Sequence, residues 1–451
     1  MSKIALIDPF GPRKAYFRHC HLLRDWSGAG TPGYIPIPSL DLLYTAAYLR
    51  KHGHEAKIIE ASVKHWPHEK VAKNIKADNF DFALIPSSYY SLDDDKYLAK
   101  VIRENTPRIK IIFSGPWVTH DPSLVLSDNS ADFVALGEYE LPCLNIIRGD
   151  YSENIAYRDN GNVFCGKRKL VNIGELAIPA RDLIDNRAYR YAVFNKRNPV
   201  TTMTISRGCP HSKCKFCHAF LFTLKEIRYR DIDSITEEIN EIVFKYKIGE
   251  ILFRDQAFTA NRELVFKICE YMISNNIDIA WRVTTRVDLV DKELLALMHR
   301  AGCYQISFGF ESSSQKSLDL NNKGITLEQS RLAARWAKEA GIEILGLFML
   351  GMPGDTQDSM ADLHKFALGL EVDYAQFNEV YLVPGVPLYD EYMKDKTILF
   401  PSDLIKKYAM LSYLKFYFRP GFILKQLGRI RSPGDLMFLM KVGVDAFLSY
   451  F

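Results

Sequence analysis

The chain has 451 residues, 47% hydrophobic and 25% charged, with a formal net charge of +4. That length asks for about two or three domains with real cores, and the near balance of charge excludes a global nucleic-acid footprint. No apolar run is long enough to cross a bilayer, and Met1–Asp8 enters a strand-like run at once rather than a signal peptide, so a cytoplasmic protein with reduced thiols is expected.

Residues 1–150 alternate strand and helix patterns. Apolar runs at Ile4–Asp8, Ala56–Glu60, Asp81–Pro86, Lys110–Gly115 and Asp132–Gly137 are separated by amphipathic stretches such as Leu40–His52. Five short β runs with helical crossovers predict an α/β domain built on a doubly wound parallel sheet. Ligands of such sheets sit beyond the carboxyl ends of the strands. Those ends read Asp8-Pro-Phe-Gly, Pro86-Ser-Ser-Tyr, Ser114-Gly-Pro-Trp-Val-Thr and Gly137-Glu-Tyr-Glu. Small residues and hydroxyls there let backbone approach a flat or phosphate-bearing cofactor, although each loop alone reads equally well as a turn.

Residues 151–198 read as a connector, with a hairpin at Tyr157–Val163 turned on Asn160-Gly161. The β/α rhythm resumes over 199–385, with strands near 201–206, 250–255, 280–286, 303–310, 343–350 and 374–381. Ser234–Glu237 and Thr326–Gln329 have the spacing of capping boxes. Six β/α units are too few for a closed eight-stranded barrel and suit an open, partial one, with chemistry at its carboxyl end. The remainder, 386–451, is helical, basic and aromatic; basic Leu424–Arg431 precedes apolar Leu436–Phe451, a helix that packs on the barrel or on a second subunit, or lies on a membrane surface.

The strongest chemical signal follows the first strand of the second series. Four residues separate Cys209 from Cys214, and two separate Cys214 from Cys217. Three thiolates on one loop can each hold one iron of a cubane cluster and leave the fourth iron open. With His211 or His218 as a fourth ligand, the same loop reads as a zinc site. Cys20, Cys143, Cys165, Cys269 and Cys303 stand singly, and Cys269 and Cys303 lie in apolar surroundings as small core residues.

The cysteine loop and the strands after it resemble the radical S-adenosylmethionine (SAM) superfamily. Phe216 stands at that family's aromatic position, and Phe253–Thr259, Trp281–Asp288, Phe308–Ser312 and Leu350–Thr356 match its second to fifth strands. The family's usual gap between the first two cysteines is one residue shorter, so the loop Pro210–Lys213 is lengthened here. Pro36–His54, Ser114–Thr119 and Gly137–Glu140 resemble cobalamin-binding domains fused to such barrels, and Ile178–Leu183 and Phe416–Phe422 recur in the same class. The similar group contains the anaerobic magnesium-protoporphyrin cyclase and cobalamin-dependent methyltransferases. The Asp-x-His-x-x-Gly motif that supplies a cobalt ligand in other cobalamin proteins is absent.

The resemblance implies a 4Fe–4S cluster on Cys209, Cys214 and Cys217, whose open iron chelates SAM. An electron from a flavodoxin- or ferredoxin-like reductant then cleaves SAM to a 5′-deoxyadenosyl radical. Cobalamin delivers a methyl group to an unactivated carbon of a small-molecule or lipid-like substrate. Phe216 would border the adenine, and Asp255, Ser307, Glu311 and Arg286 (or Arg282) would touch SAM or substrate. Ser87, Ser88, Gly115, Val118, Gly137 and Glu138 are the implied cobalamin contacts. Other readings are a non-methylating radical SAM cyclase or oxidative enzyme, a methylthiotransferase acting on transfer RNA, and a cluster or zinc sensor without catalysis. The methylthiotransferase would need three more cysteines in the first domain, which offers only Cys20 and Cys143.

Overall fold

A computed structural model describes residues 1–10, 37–89, 91–190 and 195–428. The first half builds a sheet from β1 (Lys3–Asp8), β2 (Glu55–Glu60), β3 (Phe82–Pro86), β4 (Lys110–Ser114), β5 (Phe133–Ala135), β6 (Ile155–Asp159) and β7 (Asn162–Cys165). Its order is β2-β1-β3-β4-β5-β6-β7, parallel through β5 and antiparallel beyond. Ile4, Leu6 and Leu84 face one core, whereas Ala5, Ile7, Ala83 and Ile85 face another. Burial on both faces explains why these strands read as continuous apolar runs. The chain reverses direction across the sheet between β1 and β3, which makes their carboxyl ends the switch-point crevice.

The predicted hairpin turn forms, with Asn160 at φ 47° and Gly161 at φ 85°, the left-handed pair that a tight hairpin needs. Pairing of β6 with β5 adds this hairpin to the edge of the first sheet.

The second half contains β8 (Val200–Met203), the two-residue strands β9 (Ser206–Arg207) and β10 (Arg228–Tyr229), then β11 (Glu250–Phe253), β12 (Ala280–Thr285), β13 (Cys303–Glu311), β14 (Glu343–Leu350) and β15 (Tyr374–Glu379). A six-stranded sheet runs β8-β11-β12-β13-β14-β15, parallel throughout, as the open partial barrel requires. On β13, Ile306, Phe308 and Phe310 pack into the main core, so alternation puts Gln305, Ser307 and Gly309 on the lumen side. Thr326 and Gln329 form the expected capping box. Ser234 does not cap a helix: Ile232–Asn240 starts from Asp231, and Arg230 donates to Ser234 Oγ at 2.8 Å. The capping spacing is present there, but the backbone is already helical at Ser234.

An open barrel leaves two edges to cover. At β15, the helix Ser402–Tyr417 lies alongside. Tyr417 Oη donates to the Ala375 carbonyl at 2.7 Å, and Tyr413 Oη accepts from Phe377 N at 3.1 Å. At β8, Arg181 donates to the Thr202 carbonyl at 2.6 Å and Thr202 Oγ1 donates to Pro38 O at 2.9 Å. Arg181 also pairs with Glu238 at 2.6 Å, both fully buried, which ties the Ile178–Leu183 segment into the barrel. No described helix is long and apolar enough to cross a membrane; the segment Leu436–Phe451 lies outside the described residues.

Candidate cofactor site

Antiparallel pairing of β9 with β10 sets Arg207 opposite Arg228, so residues 208–227 leave the barrel and return through a narrow neck. Gly208 sits in the neck at φ +110°, where a Cβ would lie 2.0 Å from the Glu226 carbonyl; only glycine fits. Within this excursion Cys209, Cys214 and Cys217 are free and partly exposed. The lengthened stretch has a definite conformation. Ser212 is left-handed at φ 39° and donates to the Cys209 carbonyl at 2.6 Å. His211 Nε2 donates to the Asn322 carbonyl at 2.6 Å, and Lys215 N to that of Asn321 at 3.1 Å. The loop is thus stitched to the turn that ends the short helix Gln315–Leu320.

Burial raises the Cys214 thiol and pushes Cys217 up to about 12. Thiols so placed stay protonated until a metal takes the proton's place. Among the described residues no three His, Cys, Asp or Glu side chains gather as one metal ion requires. A cubane spreads its thiolates over several irons, and this one loop supplies three free cysteines. Phe216 lies half-buried between the second and third of them.

On the barrel rim, the register of β13 against β14 shifts between Gly309 and Glu311, and Glu311 takes φ +65°. Backbone strain of this kind costs about 1–3 kcal/mol and persists where the surroundings hold it. It turns the carboxylate back over Gly309, whose added Cβ would meet Glu311 Oε1 at 2.6 Å and Lys323 Nζ at 2.9 Å. Lys323 pairs with Glu311 at 2.7 Å. Burial works against the Lys323 charge, but Glu311 and the nearby Cys214 outweigh it and its pKa is raised. Lys323 escaped the sequence reading because Asn-Asn-Lys-Gly looks like a solvated turn. Arg286 is 5% exposed; it holds Asp288 through two 2.9 Å bonds and donates to the Lys323 carbonyl at 3.1 Å. Arg282 lies toward the amino end instead, 3.3 Å from Glu250.

Asp255 neither caps the following helix nor faces the lumen freely. Its carboxylate accepts from Ile205 N at 3.1 Å and from Ser206 N and Oγ, both at 2.6 Å, and so shapes the bend into β9. Burial pushes this carboxyl up to about 6. Ser307 is half-buried on the lumen side, between Thr284 and Leu345.

On the first sheet, Ser87 N donates to the Ser114 carbonyl at 2.7 Å, while its buried Oγ has no partner among the described residues. Gly115, at φ +127°, lets the turns after β3 and β4 touch, since a Cβ would stand 2.0 Å from Ser87 O. Ser88 Oγ is 2.9 Å from Ser91 Oγ. Exposed Tyr89 meets Trp117 edge-on, with ring centroids 4.8 Å apart. Gly137 N donates to Thr119 Oγ1 at 3.1 Å. An unpartnered hydroxyl beside an exposed aromatic at the switch-point crevice suits a flat, amide-rimmed macrocycle. Two expected contacts are turned elsewhere. The Val118 side chain is wholly buried in the core. Glu138 binds Arg228, with one bond at 3.1 Å, and Arg207 at 3.4 Å. Beside it, Arg207 and Glu140 make a two-point pair, one bond being 3.2 Å.

The carboxyl ends of the two sheets face each other across the cysteine loop. Helix Pro116–His120, after β4, packs on Phe220–Thr223, just past Cys217. Arg168 donates to the Phe222 carbonyl at 2.9 Å. Gly385, past β15, sits so close to His120 that a Cβ would be 2.6 Å from its Nδ1.

Known proteins share this layout. The Radical SAM superfamily matches residues 203–367 and the B12 binding domain residues 32–147. An uncharacterized methyltransferase of Pyrococcus horikoshii is 30% identical over 426 residues, covering 88% of this chain and 91% of its own. The anaerobic magnesium-protoporphyrin IX monomethyl ester cyclase of Cereibacter sphaeroides is 27% identical over 384 residues, 80% of this chain and 61% of that enzyme. The solved structure of the cobalamin-dependent SAM radical enzyme OxsB superposes with a TM-score of 0.73 at 16% identity, over 100% of this chain and 72% of its own. That of the radical SAM methyltransferase TsrM of Kitasatospora setae gives 0.66 at 16% identity, over 87% and 75%. The structural likenesses speak for the fold, and the near full-length sequence match speaks for descent: the chain belongs to the radical SAM superfamily, among members that carry a B12-binding domain ahead of the barrel.

Proposed function

We infer that the protein is a cobalamin-dependent radical SAM methyltransferase acting on a small molecule. The observation that carries this reading is the meeting of the two carboxyl-end crevices over the cysteine loop, with Pro116–His120 against Phe220–Thr223. When bound, the cluster supplies the electron that breaks the carbon–sulfur bond of SAM, and the corrinoid supplies the methyl group that is transferred.

The chain's own part is holding and exclusion. Cys209, Cys214 and Cys217 would hold the cluster, three thiolates for its four irons. Glu311 and Lys323 stand beside it as a donor–acceptor pair for the amino and carboxylate ends of SAM. Arg286 fixes the Lys323–Gly324 turn, and Asp255 fixes the bend ahead of the loop. Ser87 Oγ, the Gly115 turn and the Tyr89–Trp117 pair form the corrinoid cradle. Leu347 and Met349 on β14 and Asn378 on β15 are half-buried on the lumen side, a wall suited to an organic acceptor with an apolar body. The reductant is a small flavin or iron–sulfur protein, and the setting is the reducing cytoplasm.

The similarity to a cyclase supports a second reading, in which the same cofactors serve a non-methylating reaction. Anaerobic purification, reconstitution with iron, sulfide and hydroxocobalamin, and incubation with SAM and dithionite test both. About four irons, one corrinoid, 5′-deoxyadenosine and a methylated acceptor are expected. Corrinoid and SAM cleavage without any methylated product favour the second reading; zinc in place of iron, or no SAM cleavage, overturns both.

A further inference from the structure

The neck of the cysteine excursion is held from outside the barrel. Strands β9 and β10 share only two residue pairs, one of them Arg207 opposite Arg228. Like charges directly opposed destabilise a strand pair, and so short a ladder is marginal by itself. The Glu138 carboxylate lies between the two guanidinium groups, bonded to Arg228 and 3.4 Å from Arg207, while Glu140 takes the other side of Arg207. Glu138 comes from the turn after β5, next to Gly137 at the corrinoid crevice, and Glu140 opens the helix that follows it. A second strap starts at the same place. Arg168 lies over Gly137, within 2.8 Å of where a Cβ would be, and donates to the carbonyl of Phe222 at 2.9 Å. The turn after β5, with Arg168 packed on it, therefore holds the cysteine excursion at its neck and, through Phe222, beyond Cys217.

We propose that Glu138 is a positioning residue that pins this neck, so that corrinoid binding at the Gly137 turn and cluster retention on the cysteine loop are thermodynamically coupled. The proposal rests on the reading of the two cofactors given above. A ligand that orders residues 137–138 also orders the pin, and the pin closes the neck through which the cysteine loop is anchored. Linkage makes the effect mutual: cluster-loaded protein binds corrinoid more tightly by the factor by which corrinoid secures the cluster.

The test uses the full chain, reconstituted anaerobically with iron and sulfide. Loss of cluster absorbance to an iron chelator is followed with and without hydroxocobalamin, whose own stoichiometry is read from its visible spectrum. In the wild type hydroxocobalamin is expected to raise about tenfold the chelator concentration at which half the cluster is lost, within the usual range of coupling between sites. Glu138→Gln should still bind corrinoid while losing most of that protection, and Glu138→Asp should restore part of it. Arg168→Gln, at a half-buried position, should weaken the protection and keeps the test decisive if Glu138→Gln does not fold. Simple shielding of the cluster by the corrinoid would survive every substitution, and that result overturns the proposal. So does stoichiometric corrinoid binding with no effect on cluster loss in the wild type. Failure of the wild type to bind any corrinoid overturns the functional reading as well.

Discussion

Both ends of the barrel carry a glutamate among cations, and the two clusters behave differently. At the amino end Glu250 is fully buried, accepts from Tyr304 Oη at 2.7 Å and Arg197 N at 3.1 Å, and pairs with Arg282 at 3.3 Å. Its own strand, β11, pairs in regular register on both sides, and burial raises its pKa. At the carboxyl end Glu311 rides on a register shift at φ +65°, next to a partly exposed loop of thiols. Residue types alone do not separate the plug from the site. Backbone strain and incomplete enclosure do.

Three changes sharpen that contrast. Cys214→Ala has the largest expected effect: iron binding fails and 5′-deoxyadenosine formation falls to background, read by metal analysis and chromatography, while the melting curve of the metal-free protein barely moves. Glu250→Leu does the reverse. It strands Arg282 and the Tyr304 hydroxyl, costs about 3 kcal/mol in denaturant unfolding, and leaves SAM cleavage by the surviving folded protein intact. Glu311→Gln, its counterpart, weakens SAM binding about tenfold, or about 1.4 kcal/mol, in a titration calorimeter with little loss of stability. Equal stability losses for the two glutamates would erase the distinction between the ends.

Asp255 supplies a pH test. Its carboxyl is pushed by burial from 3.8 to about 6, so between those values the native state holds a proton that the unfolded chain has lost. Its contribution to stability is whole below the lower value and is lost as pH rises through the higher one. Asp255→Asn lacks this loss. The stability difference between variant and wild type should therefore move in the variant's favour across that window, by up to about 1.4 kcal/mol per pH unit, in melting curves at pH 4 to 7. The smallest effect belongs to the barrel's covered edge. Tyr413→Phe strands Phe377 N and costs about 1 kcal/mol with cofactor binding unchanged.

Much of the fold could be read because its strands are buried on both faces. An apolar run such as Ile111–Phe113 stands out against the Ser114-Gly115-Pro116 that follows it. The cysteine spacing and the Asn160-Gly161 turn were equally legible, since each depends on a few neighbouring residues. What escaped depends on distance in sequence. Arg207 and Glu140 are 67 positions apart, and Arg181 and Glu238 are 57 apart. A lone arginine or lysine reads as a solvated side chain until the fold brings its partner. Glu138 was legible as a residue of the right turn, but the direction of its carboxylate was set by β9 and β10, which no local pattern announces.

The narrow neck at Gly208 has an evolutionary consequence. Because paired strands fix where the excursion leaves and re-enters the barrel, its contour length is free of the barrel's geometry. Within it, left-handed Ser212 and the bond of His211 to the Asn322 carbonyl fix the lengthened stretch on the barrel's own turn. Such a segment behaves as a cassette: it can lengthen, shorten or be transplanted between related barrels while the scaffold stays fixed, so the spacing of metal-binding residues can drift without remaking the fold.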